Sequence, residues 1–384
     1  MKLSQYGDYL YLYILLISFI PAIILGIKER NIKYYGLVVS IPMIAMIIGV
    51  PSLCIKLFIM FIVGELVVTY GYLIIRKKTD NKYIYYIALF CSIIPLIITK
   101  VSVKTTIGPL GFIGLSYLNF KAIQMIIEIY DGTIKKVNFF TYIYFLLFFP
   151  TLSSGPIDRY RRFEENINTI VPKEEYINDY LYVGFRKIFI GLGYKFVLAY
   201  LINTLWMAKI PTDVTFLNGL NYMYAYSLYL FFDFAGYSSF AVGTSYILGV
   251  KSPDNFNKPF LSKDMKEFWT RWHISLSRWF GDYIYSRIVL SSMRKKRFKS
   301  RFTAAHFAQM VTMLTMGIWH GLEWFYIIYG LYQGVVLVLT DIIQRKCKYY
   351  KKHKKEKWFQ YAQIVLNFHV ACFGLLLFSG YLFH

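Results

Sequence analysis

The chain has 384 residues, of which 57% are hydrophobic, 20% aromatic and only 17% charged, and its mean hydropathy is +0.44. An ordinary soluble domain is about 25% charged; a soluble fold of this length could not hide so much apolar surface, so the bilayer is the solvent for much of this chain. The net charge of +22 does not point to nucleic acid, because the basic residues fall in short loops between apolar runs, the positive-inside pattern of loops facing anionic lipid.

The apolar run from Tyr9 to Ile27 is long enough to span and lacks a small-residue cleavage site before its basic flank, which predicts a retained first span. Lys28, Glu29, Arg30 and Lys33 form a basic loop placed inside, which puts the N-terminus outside. Tyr35 to Val50 and Leu53 to Ile75 read as two spans around an outer turn at Pro51-Ser52, and Arg76, Lys77, Lys78 and Lys82 return the chain inside. Tyr83 to Ile98 is a further span. Ile107 to Tyr130 is apolar but interrupted by Gly108, Pro109, Gly111 and Gly114.

Phe139 to Leu152 is too short to cross a hydrocarbon core of roughly 30 Å as a helix, so a re-entrant or half-buried segment is expected. Residues 164–180 are polar and read as a surface connection. Leu181 to Trp206 carries Arg186, Lys187 and Lys195, which places part of it along the interface. Phe216 to Val250 is long enough for two spans and holds one acid, Asp233.

From Lys251 to Arg301 the chain is amphipathic. Trp269, Trp272, Leu276 and Trp279 share one helical face, which predicts a helix in or just below the interface, anchored by tryptophan. Arg294 to Arg301 marks an inner basic loop, and Phe302 to Thr340 supplies two spans around His320. A second basic loop runs from Arg345 to Lys357, and Tyr361 to Phe383 carries the C-terminus outward. No internal repeat appears, so a single membrane domain over residues 1–384 is expected. The four cysteines, Cys54, Cys91, Cys347 and Cys372, have no metal-ligand spacing; no metal site is expected, and Cys54, Cys91 and Cys372 read as small apolar filler.

Two histidines stand out chemically. Trp319-His320-Gly321 lies inside an almost wholly apolar run from Met310 to Val338, where a titratable imidazole is costly to keep. Burial disfavours the imidazolium, so His320 reads as a neutral general base that removes a hydroxyl proton in the transition state of an acyl transfer. Gly321 permits close approach of backbone or substrate. Taken alone, either histidine also reads as a packing residue. Asp233 reads as an intramembrane acid paired with an arginine such as Arg271 or Arg278, and Asp158 with Arg159, Arg161 and Arg162 as an ion-pair cluster. There is no phosphate-binding glycine loop, nucleophile elbow or HExxH, which weakens ATP hydrolysis and covalent serine chemistry.

Phe-Trp-Thr-Arg-Trp-His-Ile-Ser-Leu-Ser-Arg-Trp-Phe at Phe268 to Phe280, followed by Trp319-His320-Gly321, resembles the membrane-bound O-acyltransferase family. The stretches Phe148 to Ile157 and Phe232 to Ser238 are similar to its bacterial members, and the likeness covers about 105–340. Asp158-Arg159-Tyr160-Arg161-Arg162-Phe163 and the compact length resemble its D-alanyl-transferring branch from Gram-positive bacteria. The resemblance implies an all-α ring of about eleven membrane helices, with interfacial or re-entrant helices around a central funnel and passage. It implies catalytic roles for His320 and His273, with Trp319, Gly321, Trp269, Trp272, Ser277 and Asp233 lining or supporting the passage.

It also implies no resident cofactor: D-alanine arrives as a thioester on the phosphopantetheine arm of a small acidic carrier protein at the cytoplasmic face of the plasma membrane. Lipoteichoic acid is the implied final acceptor, reached with other membrane proteins of the same pathway. Ile288, Val289, Leu290, Met293, Arg294, Lys295, Lys296 and Arg297, apolar residues bordered by positive charge, form the candidate carrier dock. The alternatives are an O-acetyltransferase of a surface polysaccharide of the alginate-acetylating type, and a proton-coupled transporter or flippase with His320 and Asp233 as relays.

Overall fold

The computed structural model describes residues 2–49, 52–106 and 108–383; Val50 at the end of the expected span Tyr35 to Val50, Pro51 of the expected outer turn, and Ile107 lie outside them. The described residues form helices and loops without a strand. In chain order the helices are α1 Tyr9–Ile27, α2 Lys33–Ile48, α3 Leu53–Arg76, α4 Lys82–Ser102, α5 Leu115–Tyr130, α6 Phe139–Leu147, α7 Tyr160–Asn168, α8 Lys173–Glu175 and α9 Tyr182–Leu192. There follow α10 Phe216–Ile247, α11 Met265–Arg271, α12 Ile274–Phe280, α13 Ser286–Arg294, α14 Arg301–His320, α15 Trp324–Lys346, α16 Lys348–His353 and α17 Lys357–Ser379.

Among the described residues, six helical runs are long and apolar enough to cross a membrane: α1, α3, α4, the run Lys173–Lys209 that contains α8 and α9, α15 and α17. Other apolar stretches form helices that are shorter or more polar, such as α2 with 16 residues. Leu181 to Trp206, part of which was expected along the interface, belongs to one helical run, Lys173–Lys209, with several wider π-type turns. One local expectation changes. Phe216–Ile247 is a single helix of 32 residues, where two spans were expected; at 1.5 Å per residue it is roughly 48 Å long, and no proline interrupts it.

The chain divides into two compact units, each discontinuous in sequence. The first comprises Met1–Leu192 and Gly236–Pro253, and the second Gly193–Ala235 and Asp254–His384.

In the first unit the apolar stretch after Ser102 becomes helical only at Leu115, because Gly108, Gly111 and Gly114 all adopt positive φ. At Gly114 (φ 90°) a Cβ would also lie 2.5 Å from the Leu152 carbonyl oxygen. The α6 segment has nine residues and is followed by a 3₁₀ turn at Phe149–Thr151, so it is a half-length buried element, as its length required. Lys121 is buried and donates to the Phe145 carbonyl (2.9 Å) and the Thr151 hydroxyl (3.1 Å). Asp158 is ion-paired with Arg162, and Arg161 reaches Glu128 at 3.1 Å, so the basic stretch after Ile157 is an ion-pair cluster.

In the second unit α14 and α15 make the most intimate helix pair. A Cβ on Gly317 would lie 2.4 Å from the Tyr326 carbonyl oxygen and 3.1 Å from the Gly330 α-carbon, and one on Gly330 would lie 2.7 Å from the Met313 carbonyl oxygen. The two backbones therefore touch, the small-residue packing that membrane helices use when apolar burial alone does not hold them together. Gly330 and Gly334 form a GxxxG pair on α15, a spacing not singled out among the sequence motifs above.

The far end of α15 carries charge. Asp341 is buried and accepts from Lys266, from Arg345 Nε at 2.6 Å, and pairs with His306 Nε2 at 2.8 Å. Gln344 Nε2 donates to Asp264 Oδ2 at 2.8 Å, and Asp264 itself caps α11 by accepting from the backbone of Lys266 and Glu267. Polar contacts thus fasten the start of α11 to the end of α15.

Gly330→Ala is expected to destabilise the protein by about 3 kcal/mol, because the new methyl meets backbone that cannot yield. Gly334→Ala, which meets mainly the flexible Met310 side chain (Sδ at 2.9 Å), should cost about 1 kcal/mol or less. Thermal unfolding of the detergent-solubilised variants measures both.

Candidate active site

His320 is the last residue of α14, and Gly321 leaves the helix in extended conformation. A Cβ at residue 321 would lie 2.5 Å from the Tyr326 ring, so glycine is needed there for space and not for its φ. That close approach lets α15 begin beside the imidazole. His320 is half-buried, and aromatic rings flank its imidazole: Trp319 at 4.6 Å, Phe378 at 4.9 Å, and Tyr326 and Tyr329 both at 6.1 Å between centroids.

His273 sits in the break between α11 and α12 with φ 43° and ψ 53°. Left-handed backbone is uncommon outside glycine, though histidine adopts it more often than most residues, and such outliers gather at functional sites. The break is held from several sides. The Asn255 carbonyl accepts from Ile274 N–H (3.0 Å), and its side chain accepts from the Ser275 backbone (3.2 Å) and hydroxyl (2.6 Å). The Ser277 hydroxyl lies 3.2 Å from both the Trp272 and His273 carbonyl oxygens. The His273 side chain is 4% exposed, with the Phe234 ring against it at 4.8 Å. Burial, and secondarily the neighbouring His320 imidazole, push its pKa down to about 3, which holds the ring neutral.

The two imidazoles line one cavity of about 70 Å³, walled otherwise by Leu230, Phe234, Trp269, Trp272, Leu276, Tyr329, Leu375 and Phe378. That volume accommodates a few waters or a small acyl group. Trp269 is shared with a second cavity of about 470 Å³, whose lining includes Lys266, Thr270, Ser277, Arg278, Gln309 and Met313. Trp269 is fixed by its own indole N–H, which donates to Gln333 Oε1 at 3.3 Å.

Residues 55–383 match the membrane-bound O-acyltransferase family, MBOAT. The chain belongs to this family. It is an acyltransferase of the membrane. It is 42% identical to the teichoic acid D-alanyltransferase of Bacillus subtilis, over 100% of this chain and 99% of the relative. Identity to the teichoic acid D-alanyltransferase of Streptococcus thermophilus is 38%, over 99% and 96% of the two chains. Similarity to the probable alginate O-acetylase AlgI of Azotobacter vinelandii is partial, 34% identity over 60% of this chain and 45% of that one.

Several expectations about the acyltransferase's site change. The indole-bearing segment is not one interfacial helix: it is broken at His273, and Trp269, Trp272, Leu276 and Trp279 are all buried in protein. Their helical spacing reported burial correctly but could not distinguish a lipid interface from a protein interior. Asp233 is not paired with Arg271 or Arg278. It accepts from Lys195 Nζ at 2.5 Å, while Arg271 pairs with Glu267 one turn earlier at 2.5 Å. Asp233 is 36% exposed on its side chain and does not line the histidine cavity. Cys91, expected as apolar filler, is exposed; Cys372 is buried.

Tyr329, Phe378 and Asn255 carried no sign of their role in the sequence, since single aromatic and polar residues in such a chain are indistinguishable until the fold gathers them, whereas Phe234 lay within the stretch Phe232 to Ser238 already singled out. On α13, Leu290 and Met293 are 53% and 47% exposed, Ile288 and Val289 are half-buried, and Arg294 to Arg297 are exposed.

His273→Asn should keep the left-handed turn and melt within about 1 kcal/mol of wild type, whereas His273→Val should lose about 2 kcal/mol more, because β-branched residues are strained there. If acyl transfer falls in the asparagine variant without a change in melting, the imidazole itself serves the reaction.

Proposed function

We propose that the protein moves a D-alanyl group from a thioester on the phosphopantetheine arm of a small acidic carrier protein to a hydroxyl on the other side of the membrane, within lipoteichoic acid D-alanylation. The observation that carries this reading is the convergence of His320 and His273 on one small, largely apolar cavity. Full-length similarity to teichoic acid D-alanyltransferases favours this donor over the acetyl group, since the alginate-type relative is similar over only part of its length.

In the proposed step the acceptor hydroxyl lies against His320. The imidazole takes its proton as the oxygen attacks the thioester carbonyl, and a tetrahedral oxyanion forms. His273, neutral and fixed in its turn, directs a ring N–H at that developing charge, where a donor held in a dry site acts most strongly. The C–S bond then breaks, and the imidazolium returns the proton to the departing thiolate. An ester and the free thiol of the arm are the products. The cavity of about 470 Å³ beside Trp269 supplies an apolar wall with a few polar groups, suited to an arm of methylenes and amides.

The carrier would approach α13, where exposed Leu290 and Met293 adjoin exposed cations, complementary to an acidic partner. With the positive-inside bias, this basic face lies in the cytoplasm and both termini outside. The relay reading has less support: Asp233 is ion-paired with Lys195 and lies outside the histidine cavity.

With purified protein in lipid vesicles and D-alanylated carrier, His320→Ala should slow transfer by about 10³-fold while carrier binding persists, the range general-base removal produces. Undiminished transfer would refute the base. Leu290→Asp with Met293→Asp should abolish carrier binding at unchanged melting temperature, and unchanged affinity would refute the dock.

A further inference from the structure

We infer that the turn between α13 and α14 is a binding site for a phosphate ester, separate from the cavities assigned to acyl transfer. A pocket of about 480 Å³ opens there, lined by Lys296, Arg297, Lys299 and Arg301 together with Ser292 and Ser300, and by no acidic residue. It shares no lining residue with the histidine cavity or its larger neighbour. Among the described residues none of these four cations is ion-paired with a carboxylate. Four like charges held in one turn repel one another, and an anion relieves that cost.

The second observation is Ser292. Its side chain is 1% exposed, it lines the pocket, and its hydroxyl has no hydrogen-bond partner among the described residues. Some helical serines in this chain bond back to the preceding turn, as Ser245 does to the Ala241 carbonyl at 2.7 Å, whereas Ser292, like Ser227 and Ser238 on α10, does not. A buried hydroxyl without a partner is costly, and an anionic oxygen in the pocket would accept from it.

The backbone suits the same ligand. Carbonyls of the last turn of α13 are occupied: Lys295 N–H donates to Ser291 O (3.0 Å), Lys296 N–H to Met293 O (3.2 Å) and Arg297 N–H to Ser292 O (3.0 Å). Lys296 takes positive φ (49°) to close this reversal. The 20-residue helix α14 then starts at Arg301, behind the Ser300 cap, and brings the positive end of its dipole to the pocket. Phe298 packs on Phe307 at 5.3 Å and pins the turn. Two arginines, two lysines, a hydroxyl and a helix N-terminus match a tetrahedral anion with several oxygens better than a planar carboxylate.

Two sources present such a group at a basic membrane face. One is the headgroup of an anionic phospholipid; the other is the phosphodiester of the proposed donor arm, and only this second source rests on the proposed function. The test measures binding and not transfer, with full-length protein in phosphatidylcholine nanodiscs and variants outside the proposed carrier dock. One arm adds phosphatidylglycerol and counts retained lipid by native mass spectrometry. The other titrates free 4′-phosphopantetheine calorimetrically.

At least one probe should bind the wild type. Ser292→Ala should weaken it about 10-fold, the effect of one lost hydrogen bond to a charged group, and Lys299→Gln with Arg301→Gln should weaken it further. Retained phosphatidylglycerol identifies the headgroup, and phosphopantetheine binding alone identifies the donor arm. Melting temperatures measured without either probe should match wild type. If neither probe binds the wild type, or if both variants bind as the wild type does, the site does not exist. Loss of acyl transfer in His320→Ala bears on none of these outcomes.

Discussion

Contact between the backbones of α14 and α15 at Gly317 and Gly330 determines where His320 can be. His320 lies one turn beyond Gly317, so the separation of these helices sets its distance from every group on α15, including Tyr326 and Tyr329. Gly321 continues the same logic, because only a residue without a side chain lets the Tyr326 ring lie where it does. In lipid, apolar surface gains little by leaving one helix for another, so close packing of small residues carries more of the association than it would in water. The position of His320 therefore rests on three residues with no chemistry of their own.

The opposite wall of the cavity is built on a different principle. His273 stands where the helix cannot continue, in a turn closed by Asn255 and Ser277. A side chain on a continuous helix has its direction set by helical phase, whereas a broken helix can aim one residue independently of its neighbours. The strain of a left-handed histidine is modest and is offset by the hydrogen bonds around it. In the proposed reaction, fixing both rings before substrate arrives lowers the reorganisation needed.

Charge is segregated in the same unit. The histidine cavity is walled by aromatic and aliphatic groups, while ionic residues gather around Asp341 at the far end of α15 and around the α13–α14 turn. Asp341 joins Lys266 on α11, His306 on α14 and Arg345 on its own helix. One carboxylate thus ties three helices away from the histidine cavity, whose lining holds no carboxylate. Lys266 also lines the larger cavity beside Trp269, so this hub borders the space proposed for the donor arm.

Much was legible in the sequence because it depends on local composition. Hydropathy marked the membrane helices, the glycines after Ser102 marked a non-helical approach to α5, and the shortness of the apolar stretch Phe139 to Leu152 marked a half-length element. The motifs around His273 and His320 named the family, which the comparison over residues 55–383 bears out. Ion pairing was not legible: Asp233 met Lys195 and not an arginine, because side-chain partners depend on which helices adjoin. Nor was the break at His273, since four apolar residues at helical spacing fit a broken helix as well as a continuous one. By itself the sequence determined the solvent, the helical class and the identity of the two histidines, because those follow from residue type and short-range pattern. Only the tertiary structure decided that both rings share a cavity of about 70 Å³, and which aromatic residues enclose it. That outcome depends on backbone contacts between segments far apart in the chain, which no local pattern encodes.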